Sequence, residues 1–263
     1  MSPDIFSNII DKIRGRAKVL YFHVKGEPLL HPDLSSLIDI ASLAGFSVII
    51  TTNGTLLPER YPALAGKERL SRLNVSLHSL AQFDRAKRRD LASAIFGTVD
   101  ALSRENRARN PRFLVSYRLW TRDRAEETSE ILGLLGERYS LEPGKLDCLF
   151  GGRNGCKLTD GIAVHASETF DWPSLAGPDL GGEGFCHGLR DQAAILVDGT
   201  VVPCCLDGDG VVNLGNIIES DWDSIMEGSR ARGIYNAFTN RKITEPLCRR
   251  CGYRVRFSGN RDA

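Results

Sequence analysis

Cys186, Cys204, Cys248 and Cys251 are spaced to meet at one centre. Twelve residues separate Cys186 from Gly199, and four separate Gly199 from Cys204. Ala193–Val197 and Val201–Leu206 are apolar runs joined at Asp198-Gly199-Thr200, a hairpin signal. The hairpin brings the first two thiols to one end, and the Cys-x-x-Cys pair Cys248/Cys251 can close a four-thiolate site. Soft thiolates on tight turns suit zinc and an iron–sulfur cluster alike, so spacing leaves both open. Buried, unligated thiols are the weaker reading for a Cys-x-x-Cys paired with a hairpin cysteine. Cys205 points away from Cys204 on a regular strand, so it is a core residue or a rival ligand. Cys148 and Cys156 have no partner legible in sequence. The count of seven cysteines is odd, which argues against a disulfide framework.

A second set of chemistry-bearing residues recurs after apolar runs. Gly26-Glu27-Pro28-Leu29-Leu30-His31-Pro32 follows the first. Glycine permits close backbone approach, glutamate accepts from an ammonium group, and proline fixes the turn. Thr51-Thr52-Asn53-Gly54 ends the second run, Ser76-Leu77-His78-Ser79 the third, and Arg118 lies near the end of the fourth. Each has a bland reading: Asn53-Gly54 as a plain turn, His78 as a satisfied core histidine, Arg118 as a surface ion pair. Their joint order is more specific, because polar groups at C-terminal strand ends line the ligand site of barrel-like parallel sheets. Trp120, His165, Phe170 and Trp172 are candidates for a pocket lining, with core packing the fuller reading for most.

The elements that must position these residues alternate. Ser2 is an N-cap and Pro3 a first helical residue; Ile5, Phe6, Ile9, Ile10 and Ile13 form a helical stripe that Gly15 stops. Strands are expected at Val19–Val24, Ser47–Thr52, Leu73–Leu77 and Phe113–Leu119. Helices are expected at Asp33–Ala44, Leu91–Arg107 and Ala125–Tyr139. This is a βαβ pattern with a parallel sheet, either doubly wound or barrel-like. From Glu142 to about Gly184 the chain is rich in Gly, Pro and Asp and reads as the end of the first domain and a linker. Past Cys186, short helices are expected at Trp222–Glu227 and Arg230–Thr239.

Together these features resemble the radical S-adenosylmethionine (SAM) superfamily with a C-terminal SPASM domain, in its single-cluster twitch form. Gly26-Glu27-Pro28 after a β-run resembles the motif that holds the SAM amino group. Thr52-Asn53-Gly54 resembles the next strand end. Ser76 sits where a ribose- or carboxylate-contacting side chain is found, and Arg118 looks like a contact to the SAM carboxylate. Cys-x₁₇-Cys with its internal glycine, the late Cys-x-x-Cys, and Leu214-Gly215-Asn216-Ile217 before Trp222 are similar to the SPASM pattern. The resemblance spans Ser2 to Tyr253 and shifts the metal reading from zinc to iron–sulfur. It implies a partial (β/α)6 TIM-like barrel over residues 1–180 with its first strand missing, and a SPASM/twitch domain over 181–263. It implies Cys186, Cys204, Cys248 and Cys251 as ligands of an auxiliary [4Fe–4S] cluster, with Cys204 preferred over Cys205.

It also implies an enzyme that cleaves SAM to a 5′-deoxyadenosyl radical and abstracts hydrogen from a peptide, protein or sugar-like small-molecule substrate. The auxiliary cluster would accept an electron or position the substrate, and a reductase, flavodoxin or ferredoxin would donate electrons. The family begins with Cys-x-x-x-Cys-x-x-Cys, yet no cysteine here precedes Cys148. Two accounts stand: a piece of a longer protein, with a second [4Fe–4S] cluster only where that motif is present, or a degenerate relative acting as a cluster- or zinc-containing binding module.

Composition narrows the classes. A 42% hydrophobic, 25% charged chain of 263 residues is ordinary for a globular protein. The formal net charge of +1 argues against an extended nucleic-acid footprint. No apolar run is long enough to span a bilayer, and the N-terminus lacks signal-peptide character, so a cytoplasmic protein without membrane partners is expected.

Overall fold

The computed structural model describes residues 1–120, 126–149 and 155–257. They form two compact units, one from Gly15 to Thr169 and one combining Met1–Arg14 with the residues from Phe170 onward.

The order of elements is α1 (Pro3–Ile13), β1 (Val19–Phe22), α2 (Leu34–Leu43), β2 (Ser47–Thr52), α3 (Leu57–Leu64), β3 (Leu70–Ser76), α4 (Arg85–Arg109), β4 (Leu114–Trp120) and α5 (Glu126–Tyr139). Then come β5 (Gly155–Thr159), β6 (Ile162–Ser167), β7 (Ala194–Ile195), β8 (Thr200–Val202), β9 (Gly215–Asn216), α6 (Trp222–Glu227), α7 (Ser229–Thr239) and α8 (Pro246–Arg249).

The Gly15–Thr169 unit holds a six-stranded sheet in the order β1-β2-β3-β4-β6-β5. All neighbours are parallel except β5, which joins β6 antiparallel at one edge. The parallel strands are added in sequence without reversal. A doubly wound sheet reverses at a switch point, so the architecture is the barrel-like α/β alternative, left partial and open. β1 and β5 are its edges.

Alternation along the strands makes two different faces. Val48, Ile50, Leu73, Val75, Val115, Tyr117, Leu119 and Val164 are buried with the apolar stripes of the helices. The register rows Asn74–Ser116–Ala163 and Ser76–Arg118–His165 lie on the other, polar face.

Two expectations need correction. The stretch beyond Glu142 is not all linker, because β5 and β6 belong to the main sheet and Cys156 sits within β5. Ile162, Val164 and Ala166 alternate inward, and Gly161 adopts φ +76° in the Asp160-Gly161 turn. α4 starts six residues before the expected Leu91: Asp84 accepts a hydrogen bond from the Lys87 N–H (2.9 Å) and caps it. Its first turns are too charged to show an apolar stripe.

In the second unit β7, β8 and β9 form a small antiparallel sheet. α1 packs here: Ile9 is buried with Val201, Ile217 and Ile225. Lys12 Nζ donates to the carbonyls of Ile217 (2.7 Å), Ile218 (3.2 Å) and Ser220 (3.2 Å). Ser2 caps α1 as expected, accepting from the Ile5 N–H. A second core of Val212, Ile234, Phe238, Ile243 and Leu247 backs Cys186 and Cys248.

Candidate functional site

At the C-terminal ends of β1 and β2, one carboxylate ties two loops together. Glu27 Oε1 accepts from the Leu29 N–H (3.0 Å) and Oε2 from the Asn53 N–H (2.7 Å). A carboxylate offers about four lone-pair sites, so Glu27 keeps capacity for an ammonium donor. Gly26 lies at φ +87°, a conformation that favours glycine, and Pro28 opens a single 3-10 turn, Pro28–Leu30. Nearby Val24 also has positive φ (+113°), costly for a β-branched residue.

The other sequence-nominated residues cluster here, though not all through their side chains. Thr52 is buried on the helix-covered side and its hydroxyl accepts from the Gly54 N–H (2.9 Å). Asn53 Oδ1 accepts from Thr55 N–H (2.9 Å) and Oγ1–H (2.7 Å), and its carbonyl accepts from the Ser79 hydroxyl (2.9 Å). Both thus shape the turn. Ser76 and Arg118 stand side by side on the polar face, with His165 next in the row.

Arg118 is the electrostatic hub of this face. Burial is the main cause that lowers the pKa of His23, with Arg118 adding to it. His78 is pushed down to about 4, chiefly by burial; a hydrogen bond to the Arg118 backbone opposes this and the Arg118 charge adds to it. His165 is lowered by burial first, then Arg72 and Arg118. All three are therefore neutral near pH 7. His78 packs edge-on against Trp120 at 4.8 Å, and its buried Nδ1 has no hydrogen-bond partner among the described residues. Sequence reasoning missed His23, Arg72 and the pairs Asn74–Thr51 (3.1 Å) and Ser116–His165 (2.7 Å). Strand alternation was the signal that could have found Arg72, Asn74 and Ser116. Phe170 and Trp172, grouped with His165 in sequence, lie in the other unit, where Phe170 meets Trp172 and Tyr253.

In that other unit, Cys186, Cys204, Cys248 and Cys251 line one cavity, and Cys205 is not among its lining residues. Asp198 Oδ1 accepts from the Thr200 N–H (3.0 Å) and Gly199 takes φ +87°, which forms the turn expected there. Burial is the leading cause that raises the thiols of Cys186, Cys204 and Cys248, and repulsion between neighbouring thiols adds to it. Cys204 is pushed up to about 12 and Cys248 well above the ordinary thiol range. Cys186 is raised too, with Arg254 pulling the other way. Such thiols are stable as thiolates only when a cation binds them. Among the described residues, no three His, Cys, Asp or Glu side chains stand close enough to hold a single metal ion. The four thiols face a shared space, and four soft donors suit zinc or an iron–sulfur cluster alike. Cys148 lies in a 3-10 turn, Asp147–Leu149, where its thiol and that of Cys156 both donate to the Lys145 carbonyl (3.3 and 3.5 Å).

Comparison with known proteins bears on the C-terminal domain and on the fold. Residues 186–252 match SPASM, an iron–sulfur cluster-binding domain. The structure resembles BtrN in complex with AdoMet and 2-DOIA, with a TM-score of 0.56 at 18% identity, covering 95% of this chain and 80% of that one. It resembles Streptococcus suis SuiB bound to S-adenosylmethionine, with a TM-score of 0.53 at 15% identity, covering 89% of this chain and 60% of that one. It also resembles SuiB bound to its precursor peptide SuiA, with a TM-score of 0.56 at 14% identity, covering 96% and 64%. The chain thus spans less than two thirds of SuiB, and at these identities the likeness is one of fold. No curated protein sequence matches. Among the described residues no helix is long and apolar enough to cross a membrane. Residues 186–252 thus carry a SPASM iron–sulfur cluster-binding domain, and the chain shares the fold of these neighbours.

Proposed function

We propose that this chain forms the SAM-binding barrel wall and the auxiliary-cluster domain of a radical SAM enzyme, with Cys186, Cys204, Cys248 and Cys251 as ligands of one [4Fe–4S] cluster. The observation that carries the reading is the convergence of these four thiols, and not Cys205, on one cavity. When bound, such a cluster supplies one-electron redox chemistry. The protein's share is positioning. Glu27, braced by Leu29 and Asn53, presents its free lone pairs to the SAM ammonium group. Arg118 takes the SAM carboxylate, Ser76 a ribose or carboxylate oxygen, and Gly26, Pro28, Thr52 and Asn53 hold the backbone around them. The three neutral histidines add no charge that would compete for the anionic end of SAM. No cysteine precedes Cys148, so the three thiolates of a radical-generating loop are not among these residues. The hydrogen abstraction from a peptide, protein or small-molecule substrate, and the electron donor, belong to the enzyme that contains such a loop.

Iron, zinc and acid-labile sulfide, measured in protein purified and reconstituted without oxygen, test the reading. About four irons and four sulfides per chain are expected. Stoichiometric zinc without sulfide would leave a zinc-stabilised binding module instead.

A further inference from the structure

The six strands of the main sheet contain no aspartate or glutamate. Their cations are Arg72, Arg118 and Lys157, and the register puts all three on one face. Lys157 pairs with Ala163, which shares a row with Ser116 and Asn74; Arg118 shares a row with Ser76; Arg72 lies two residues before Asn74 on the same strand. His165 sits on that face as well. A chain with a net charge of only +1 has therefore collected its strand cations on the polar side of the sheet. Lys157 is satisfied by Asp160 at 3.2 Å. Glu27, the carboxylate at the strand ends, is turned onto backbone N–H groups. Arg72 is exposed and has no ion pair among the described residues. Behind it, Asn74 is 1% exposed and its Oδ1 has no hydrogen-bond partner among the described residues.

We infer that this face receives a carboxylate-bearing substrate, its anionic group held by Arg72 beside the Ser116–His165 pair. The inference deepens the proposed function by assigning Arg118 to SAM and Arg72 to the substrate. Titrating succinate, its uncharged dimethyl ester and a tetraglutamate peptide into SAM-saturated protein tests it, with the ring resonances of the labelled histidines as the readout. Succinate or the peptide should shift the His165 signals saturably, and added salt should weaken the binding. Arg72→Gln should weaken it roughly tenfold or more, as loss of a charged hydrogen bond does. Tighter succinate binding assigns the group to a small acid, tighter peptide binding to a polypeptide side chain. Equal binding of the ester, no saturable shift with either acid, or unchanged affinity in Arg72→Gln would overturn the inference. Iron and sulfide content in the same samples reports separately on the cluster reading.

An independent observation concerns Arg254. It is 3% exposed and lines the thiol cavity. It donates to the backbone carbonyls of Cys248 (2.9 Å), Glu183 (2.9 Å), Leu180 (3.0 Å), Gly181 (2.6 Å) and Arg249 (3.3 Å). Among the described residues no carboxylate meets it: Asp207, the acidic residue on the same cavity, accepts from the N–H groups of Val211 (2.9 Å) and Val212 (2.7 Å). Carbonyl dipoles take most of its hydrogens, and among the described residues no opposite charge compensates it, which is expensive in a buried site.

The geometry points to Arg254 as the counter-charge of the anionic cluster held by the four thiolates, a positioning residue that favours the reduced, more negative state. This too rests on the proposed function. Reduction potentials from an anaerobic EPR titration of wild type, Arg254→Lys and Arg254→Met test it. The Met variant should move to a lower potential while the Lys variant stays near wild type. If Met fails to hold the cluster, iron retention by Lys with a wild-type potential gives the same answer. A Met variant with an unchanged potential, or loss of the cluster from both variants, would mark Arg254 as scaffold alone. Failure of wild type to bind iron would refute the cluster reading, not this comparison.

Discussion

Protein carrying both Cys248→Ser and Cys251→Ser is expected to fall from about four irons per chain to well under one, with sulfide lost in parallel. Serine is close to isosteric with cysteine, but its oxygen is a hard donor that stays protonated, so it replaces thiolate as neither charge nor soft ligand. Two of the four cavity thiols disappear at once, and the Cys186/Cys204 pair that remains cannot enclose a cluster. The thiols also stand on a shared core, since Cys186 and Cys248 pack on Val212, Ile234, Phe238, Ile243 and Leu247. Binding energy of a cluster is folding energy for such a unit, so the thermal transition of the Phe170-onward unit should drop while the six-stranded unit keeps its own. Cys205→Ser and Cys148→Ser serve as controls and should keep their iron. Full iron and sulfide in the double variant would refute the ligand assignment.

Gly199→Ala is expected to cost about 2–5 kcal/mol of stability, seen as a lower unfolding midpoint. Two costs add. The residue sits at φ +87°, where an L side chain is strained. A Cβ there would also meet Asn216 Oδ1 at 2.5 Å, Ile218 Cγ1 at 2.7 Å and Ile218 Cδ1 at 2.8 Å. Asn216 cannot yield freely, because its Nδ2 donates to the Asp198 carbonyl (2.9 Å) and its Oδ1 accepts from the Ile218 N–H (2.8 Å). Gly210 isolates the backbone contribution. It has φ +71°, but its nearest contact to a built Cβ is 3.4 Å, so Gly210→Ala should cost only about 1 kcal/mol. Because β8 runs from this turn toward Cys204, the Gly199 variant should also assemble less cluster per chain. Equal midpoints for the two variants would show that crowding at the turn contributes nothing.

Much of this was legible from residue patterns, for identifiable reasons. β2 was placed without error because Ser47–Thr52 is β-branched, apolar and ended by Asn53-Gly54. The hairpin before Cys204 was legible because Asp198-Gly199 demands one turn. β5 and β6 were missed because their polar-side positions carry Gly155, Lys157, Ala163 and His165, which dilute the alternation. The Asp160-Gly161 dipeptide between them was a turn signal left unused. The order of the cation-bearing rows was out of reach before register was known, since Arg72 and Arg118 lie 46 positions apart in sequence yet on neighbouring strands. Arg254 had no sequence signature, because its partners are five main-chain carbonyls, which any residue supplies.

The hydrogen bond from Lys12 to the Ile217 carbonyl spans 205 residues of chain. α1 is made well before its docking surface on Val201, Ile217 and Ile225. During synthesis the helix must wait, with Ile9 uncovered, while the whole six-stranded unit is made between the two halves of its partner. Closing so long a loop costs little more entropy than closing a medium one, but it sets an order of events: the central unit can fold as it emerges, whereas the unit that holds α1 is completed only once Ile225 has been made. A clone cut to begin at Phe170 would therefore lack not a leader but a piece of its own core.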